Sequence, residues 1–252
     1  METTKRGDMW ILGRHRLLCG DATSREDHER LLGGERAALC LTDPPYGTRK
    51  HVQAKDGRIV GGEKRGLCTG LRNPFIPPPS QPFPLILGDE DTYTARAAIP
   101  IIFDMSDAQV IWGGNFFADV LPPSRGWIVW DKQNGATSFA DGELAWTSKD
   151  AALRIYRYRW SGCCRRGPSR LDPRPRVHPT QKSVELHMEI LSVHSEHGDI
   201  VMDPFGGSGT TLIACEETGR ACRMMELSEH YCGVIIERWE RLTGLKAERV
   251  ET

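Results

Sequence analysis

Asp43-Pro44-Pro45-Tyr46 closes the apolar run AALCLT at 37–42 and is followed at once by Gly47. A carboxylate, two carbonyls and an aromatic ring therefore share one strand terminus. Proline fixes φ and has no N–H, so two in a row make a stiff turn whose carbonyls stay free to accept hydrogen bonds from a ligand. A planar ligand bearing an amino group suits such a turn, and a plain Pro-Pro turn with a helper aspartate is the competing reading. A second constellation, Asp203-Pro204-Phe205-Gly206-Gly207-Ser208-Gly209-Thr210-Thr211, stands where a strand hands over to a helix. Glycines there let a ligand approach backbone N–H groups at a helix N-terminus, which favours an anionic ligand group. A phosphate-binding P-loop fails because no Lys follows the last glycine, and a dinucleotide fingerprint fails because Thr211 and Leu212 replace its third glycine. A nucleoside without a pyrophosphate remains. Glu226, ending the next strand, lies about as far downstream as the acid that binds ribose hydroxyls in doubly wound folds. Asp21 ends a strand near the chain start and can meet the base if the chain order is permuted.

These groups need elements to hold them. MWILGRHRLLCGD reads as two short strands around Gly13-Arg14, followed by a polar helix from Ser24 to about Leu32 and the AALCLT strand. Residues 48–90 lose periodicity and carry a basic stretch and the proline-rich IPPPSQPFP at 76–84, so a flexible active-site or recognition loop is expected there. A helix is predicted from Tyr93 to Met105, then strands at 108–112, 126–130, 143–147 and 154–160. The segment 160–178 is rich in Arg, Pro and Gly and reads as a basic loop. The last third alternates regularly: helix from about Lys182 to His197, strand 199–203, helix Ser208 to Thr218, strand 220–226, helix Ser228 to Thr243. That rhythm means a mostly parallel sheet with crossover helices, in an α/β fold.

Composition sets loose bounds. With 252 residues, 39% hydrophobic and 27% charged, the chain has ordinary globular composition and suits one sizeable domain, read as 1–252. A formal net charge of -1 argues neither for nor against nucleic acid, since basic residues crowd into the middle of the chain. The eight cysteines show no C-x-x-C pairing, and several sit inside apolar runs, so reduced core thiols are expected. His194 and His197 lack Cys or Glu companions and read as surface histidines; no metal is expected. Without a charged-then-apolar leader or a bilayer-length apolar stretch, the reading is an intracellular, cytoplasmic protein of bacterial or phage origin with no membrane association.

DPPYG, HPTQKSVEL, DPFGGSGTT and MMELSEHYCGVIIERWERLTG, in that order, resemble the amino-group (adenine-N6 and cytosine-N4) DNA methyltransferases that use S-adenosylmethionine. The order is that of the β-type, with the catalytic motif ahead of the cofactor motif. The resemblance runs from GRHRLLCGDA to the end and is weakest between Thr48 and Ala108. It implies a Rossmann-like methyltransferase fold with a doubly wound sheet and permuted motif order. It implies that Asp203, Phe205, Gly206, Gly207, Ser208, Gly209 and Thr210 surround the methionine part of S-adenosylmethionine, with Asp43 at their border. Glu226 would hold the ribose, Asp21 and Ala22 the adenine, and Leu227 would pack on that ring; Thr180 and Lys182 would help close the methionine end. Ser183 departs from the usual Pro, which leaves the helix start less rigid.

The chemistry that follows is direct methyl displacement onto an exocyclic amine held by Asp43 and the Pro44 carbonyl, with Pro45 stiffening the turn. A duplex base must rotate out to reach such a pocket, and stacking on Tyr46 can offset part of the cost of flipping. Trp112, Trp127, Trp130 and Trp146 lie in strand patterns and are expected in the core. Arg154, Arg157, Arg159, Arg165, Arg166, Arg170, Arg174 and Arg176 form the expected phosphate-binding band on double-stranded DNA, against the alternative of a solvated basic loop. The short recognition segment points to the 48–90 loop, or to the second subunit of a homodimer, for further contacts. Adenine-N6 methylation, of the kind found in restriction-modification, is the leading reading. Cytosine-N4 methylation is its nearest rival, since that branch more often has Ser at position 43; methylation of RNA or protein amides ranks lower, and a catalytically silent DNA-binding module is the non-enzyme alternative.

Overall fold

Along AALCLT, Leu39 and Leu41 enter one apolar cluster and Cys40 enters another, so this strand is covered on both faces. A strand apolar on both sides belongs to a parallel sheet sandwiched between helices. The computed structural model describes residues 3–47, 87–90, 92–134, 140–161, 164–165, 171, 177–178 and 180–250. The chain runs β1 (Met9–Leu12), β2 (His15–Cys19), α1 (Arg25–Leu32), β3 (Ala37–Thr42), α2 (Tyr93–Met105), β4 (Ser106–Trp112), β5 (Ile128–Asp131), β6 (Gly142–Thr147) and β7 (Arg154–Arg157). It continues through β8 (Trp160–Ser161), β9 (Cys164–Arg165), α3 (Val184–His194), β10 (Ile200–Asp203), α4 (Thr210–Thr218), β11 (Ala221–Glu226), α5 (Glu229–Thr243) and β12 (Glu248–Arg249).

One ten-stranded sheet carries the order β12-β1-β2-β11-β10-β3-β4-β6-β5-β7. Its centre, β2-β11-β10-β3-β4, is parallel throughout. β6 joins β4 and β5 antiparallel, and β7 runs parallel to β5 at the outer edge. Helices α3, α4 and α5 cover one face, with Val184, Leu191, Leu212, Ile235 and Trp239 in one cluster with Leu39 and Leu41. Helices α1 and α2 cover the other, where Leu31, Leu32, Ala98 and Ile102 meet Cys40, Met202 and Met225. The chain leaves β10 for β11 in one direction and β3 for β4 in the other, so the strand order reverses between β10 and β3. That crevice is where open α/β sheets bind ligands.

Local signals set the helix ends. Ser24, Ser183 and Ser228 are N-caps whose hydroxyls accept from the N–H three residues on, and Gly33, Gly219 and Gly244 close their helices in the left-handed conformation. Ser183 thus gives α3 a side-chain cap, which corrects the expectation of a slack helix start.

Several expectations shift. α3 starts at Val184 and ends at His194, and α4 starts at Thr210, because Lys182 and Ser208 belong to the turns before them. The strand expected at 154–160 stops at Arg157, since Trp160 turns to pair with Arg165 in a small hairpin. The segment 160–178, expected to be loop, therefore contains the β8–β9 hairpin. β12 is an added edge strand on β1, paired through Trp10 and Ile11. His194 is buried, not a surface residue: it is on the inner side of α3, and burial lowers its pKa to about 4. Trp112, Trp130 and Trp146 are buried as expected, and Trp127 packs half-buried against the cluster around Phe117. Cys19, Cys40, Cys215, Cys222 and Cys232 are buried free thiols. The loop expected over 48–86 lies outside the described residues. No described helix is long and apolar enough to cross a membrane.

Candidate active site

Four parallel strands end side by side, and an acid stands at or just beyond each end. Across the sheet these are Asp21 after β2, Glu226 on β11, Asp203 on β10 and Asp43 after β3. One crevice runs along this edge. Its walls include Asp21, Ala22, Asp43, Pro44, Pro45, Tyr46, Thr180, Lys182, Asp203, Phe205, Gly206, Gly207, Ser208, Thr210, Glu226 and Leu227. Of the residues singled out as catalytic or cofactor-binding, Gly209 alone does not line it. Gly209 acts from behind: it is the N-cap of α4 at φ 81°, packed against Ile235.

The half of the crevice around β10 and β11 is built from backbone. Gly207 N–H donates to Glu226 Oε2 at 2.7 Å and Ser228 N–H to Oε1 at 2.8 Å, so both carboxylate oxygens are fixed by the main chain. Gly206 N–H donates to the Met225 carbonyl at 2.8 Å, tying the glycine turn to the neighbouring strand. A Cβ on Gly206 would lie 2.8 Å from Met224 Cγ and 3.1 Å from the Met225 carbonyl, so only glycine brings the turn this close. Asp203 Oδ1 accepts from the Thr42 hydroxyl at 2.7 Å and from Phe205 N–H at 3.1 Å. Burial raises both acids, Glu226 to about 7 and Asp203 to about 6, against the opposing pull of these donors. Asp21 Oδ1 accepts from the backbone and hydroxyl of Thr23, closing an Asx-type turn at the far end of the edge.

The half around β3 is built from side chains. Tyr46 donates its hydroxyl to Asp43 Oδ1, and the Lys182 ammonium sits 2.5 Å from Asp43 Oδ2. Lys182 is buried and also lies 2.9 Å from Glu143 Oε2, while Lys132 pairs with Glu143 Oε1. Burial raises Asp43 above the usual carboxylate range, opposed by Lys182. Burial would raise Glu143 as well, but the two lysines outweigh it and hold Glu143 down at about 2. The Tyr46 ring stacks on Phe116 with centroids 5.0 Å apart and lies across Gly113, where any Cβ would fall 2.1 Å from the ring. Tyr46 is thus a fixed, half-buried platform.

Three histidines and a tyrosine complete the walls or their backing. His187 Nδ1 lies 3.2 Å from the Thr211 hydroxyl, and His178 Nδ1 lies 3.1 Å from the Thr180 hydroxyl. Burial lowers both imidazoles to about 3, so both are neutral. The Tyr231 hydroxyl and His187 Nε2 are buried on the crevice without a protein hydrogen-bond partner among the described residues. Sequence reasoning passed over Glu143, His178, His187 and Tyr231. For Glu143 a signal existed, an acid opening an otherwise apolar strand at ELAWT. Its meaning depended on β6 being antiparallel, which brings the strand's first residue to the ligand edge.

Of the basic band, exposed Arg157 and Arg159 stand at the end of β7, which shares its direction with β3 and β4 and so ends on the crevice side. Arg154 starts that strand and lies at the opposite end. Arg165 belongs to β9, and Arg166, Arg170, Arg174 and Arg176 lie outside the described residues.

Sheet order, two-faced helix cover and the permuted positions of these acids define a Rossmann-like methyltransferase fold. Among solved structures, that of M1.HpyAVI in complex with SAM aligns with TM-score 0.52 at 20% identity, covering 88% of this chain and 98% of that one. TTHA0409 of Thermus thermophilus, a putative DNA modification methylase by title, gives 0.51 at 20% over 91% and 95%. The cytosine-N4-specific PvuII DNA methyltransferase gives 0.54 at 14% over 90% and 89%. Residues 145–237 match the family model described as DNA methylase. Type II methyltransferase M.HpaI of Haemophilus parainfluenzae is 38% identical over 61 residues, 24% of this chain and 19% of that protein. DNA adenine methyltransferase YhdJ of Escherichia coli K12 is 36% identical over 73 residues, 29% of this chain and 25% of that protein. By these matches the chain belongs with the N6/N4 DNA methylases, although the aligned stretches span a quarter or less of these curated relatives.

Proposed function

We propose that this chain is a DNA methyltransferase that moves a methyl group from S-adenosylmethionine to adenine N6 of a base rotated out of the duplex. The observation that carries it is the succession Asp21, Glu226, Asp203, Asp43 along one ligand edge, ending on a Pro-Pro turn. An acidic wall would repel a pyrophosphate, but it suits a nucleoside whose hydroxyls donate and whose amino-acid end carries an ammonium and a sulfonium. The unpartnered Tyr231 hydroxyl and His187 Nε2 are further polar groups that such a ligand, or its water, can satisfy.

In this reading Glu226 holds the ribose, Asp21 and Ala22 border the adenine with Leu227 against its ring, and the turn from Asp203 to Thr210 encloses the methionine end with Thr180 and Lys182. When bound, S-adenosylmethionine supplies an electrophilic methyl on a good leaving group. Asp43 and the Pro44 carbonyl accept the two N–H bonds of the target amine and aim its lone pair. Alignment of this kind is worth roughly 7 to 11 kcal/mol. The methylated nitrogen is cationic and acidic, and Asp43 stabilises it until its proton passes to water. Tyr46 offers the flipped base the part of its ring that Phe116 leaves open, and stacking of this kind is worth about 1 to 3 kcal/mol. Arg157 and Arg159, with the basic segment 160–178, bind phosphates beside the crevice.

Incubation with DNA and methyl-labelled S-adenosylmethionine, followed by digestion to nucleosides and mass identification, tests this. N6-methyladenine is expected. N4-methylcytosine would transfer the same amine geometry to the other base, and absence of label in any DNA despite normal cofactor binding would overturn the reading.

A further inference from the structure

Both oxygens of Asp43 already have donors, the Tyr46 hydroxyl on Oδ1 and the Lys182 ammonium on Oδ2. An ammonium bond to a carboxylate is stronger than the bond from a neutral amine, so a target base cannot easily displace Lys182 by itself. Nor can Lys182 retreat unpaired, since a buried lone ammonium is costly. Glu143 resolves this. Its Oε2 is 2.9 Å from the same ammonium, and Lys132 anchors its other oxygen.

We infer that Glu143 is a positioning residue for the methyl transfer: with Lys132 it forms a second seat that draws the Lys182 ammonium off Asp43 as the acceptor amine enters. The inference rests on the function proposed above. The cluster of Asp43, Glu143, Lys132 and Lys182 is formally neutral, so the cation moves between two carboxylates without creating net buried charge. The charged and titratable groups facing it are Tyr46 from its own turn, Asp203 from β10, Asp89 near Gly47, and the neutral imidazoles His178 and His187. Glu143 keeps its charge while Asp43 is harder to ionise, which biases the shared lysine toward the second seat.

Glu143→Gln removes that seat and confines Lys182 to Asp43. In the ligand-free protein, carbon-13 carboxyl NMR, with the Asp43 signal assigned through Asp43→Asn, is expected to show the Asp43 titration midpoint lowered by about one pH unit. In turnover, kcat is expected to fall at least about tenfold, with the acid limb of the pH profile moved down and the cofactor dissociation constant changed less than about twofold. Lys132→Met, which frees Glu143 without removing it, should lower kcat in the same direction but less, and it carries the test if Glu143→Gln does not fold. Wild-type kcat in the variant that folds, or activity lost only in proportion to lost cofactor binding, overturns the inference, as does an unmoved Asp43 titration in Glu143→Gln. A wild-type protein that methylates no DNA defeats the proposed function separately, while the ligand-free titration still reads the coupling of Glu143 to Asp43.

Discussion

Glu226 and Asp43 stand two strands apart on the same edge, and each has a donor on both oxygens, yet the donors differ in kind. Glu226 is held by the N–H groups of Gly207 and Ser228, which move only if the chain moves. Asp43 is held by Tyr46 and Lys182, side chains that can exchange partners without disturbing the fold. A site that binds the same ligand every cycle gains from fixed donors, because nothing is left to reorganise on binding. A site that admits a different group each cycle needs donors that can yield. The contrast assigns a rigid half to the cofactor and an exchangeable half to the base.

The largest effect should come from the exchangeable half. Asp43→Ala is expected to lower kcat on the order of 10³-fold, by analogy with removal of one transition-state-stabilising group, while cofactor binding measured by calorimetry stays within a few-fold. Equal loss of both would merge the two halves and break the comparison. Gly206→Ala should act in the opposite sense. Its Cβ meets Met224 and the Met225 carbonyl, so a stability loss of about 1 to 3 kcal/mol in urea unfolding and weaker cofactor binding are expected.

Glu226→Gln is expected to raise the cofactor dissociation constant about tenfold, as loss of a hydrogen bond to a charged group typically does. It should also change the pH dependence of folding. Glu226 is raised from 4.5 to about 7 and Asp203 from 3.8 to about 6, so the folded protein holds these protons where the unfolded chain has lost them. Stability of the ligand-free protein should therefore fall as pH rises from about 4 to about 7, and Glu226→Gln should flatten the upper part of that slope in thermal melts. The smallest effects belong outside both halves. Arg157→Ala and Arg159→Ala should each weaken DNA binding without regard to sequence and reduce the salt slope by about 1, measured by titration at several salt concentrations.

The local signals survived folding almost unchanged. Serines 24 and 228 and glycines 33, 219 and 244 mark helix ends in the sequence and mark them in the structure, because caps act over three or four residues. The apolar runs became strands for the same reason. Errors collected where a residue's role depended on distant partners. Ser183 looked like a lost proline until its hydroxyl was found capping α3, and His194 looked like a surface group until α3 turned it inward. Trp160 read as the end of one strand but opens another.

By itself, the sequence determined the two chemical endpoints: a carboxylate before two prolines, and a glycine turn with an acid one strand later. Both are short motifs whose meaning lies in backbone geometry that a few residues dictate. Only the tertiary structure decided that Glu143 and Lys132 join them. An antiparallel β6 carries its first residue, and the turn after β5 carries Lys132, to the same edge as Asp43. Strand direction is fixed by pairing across the whole sheet, and no window of neighbouring residues contains it.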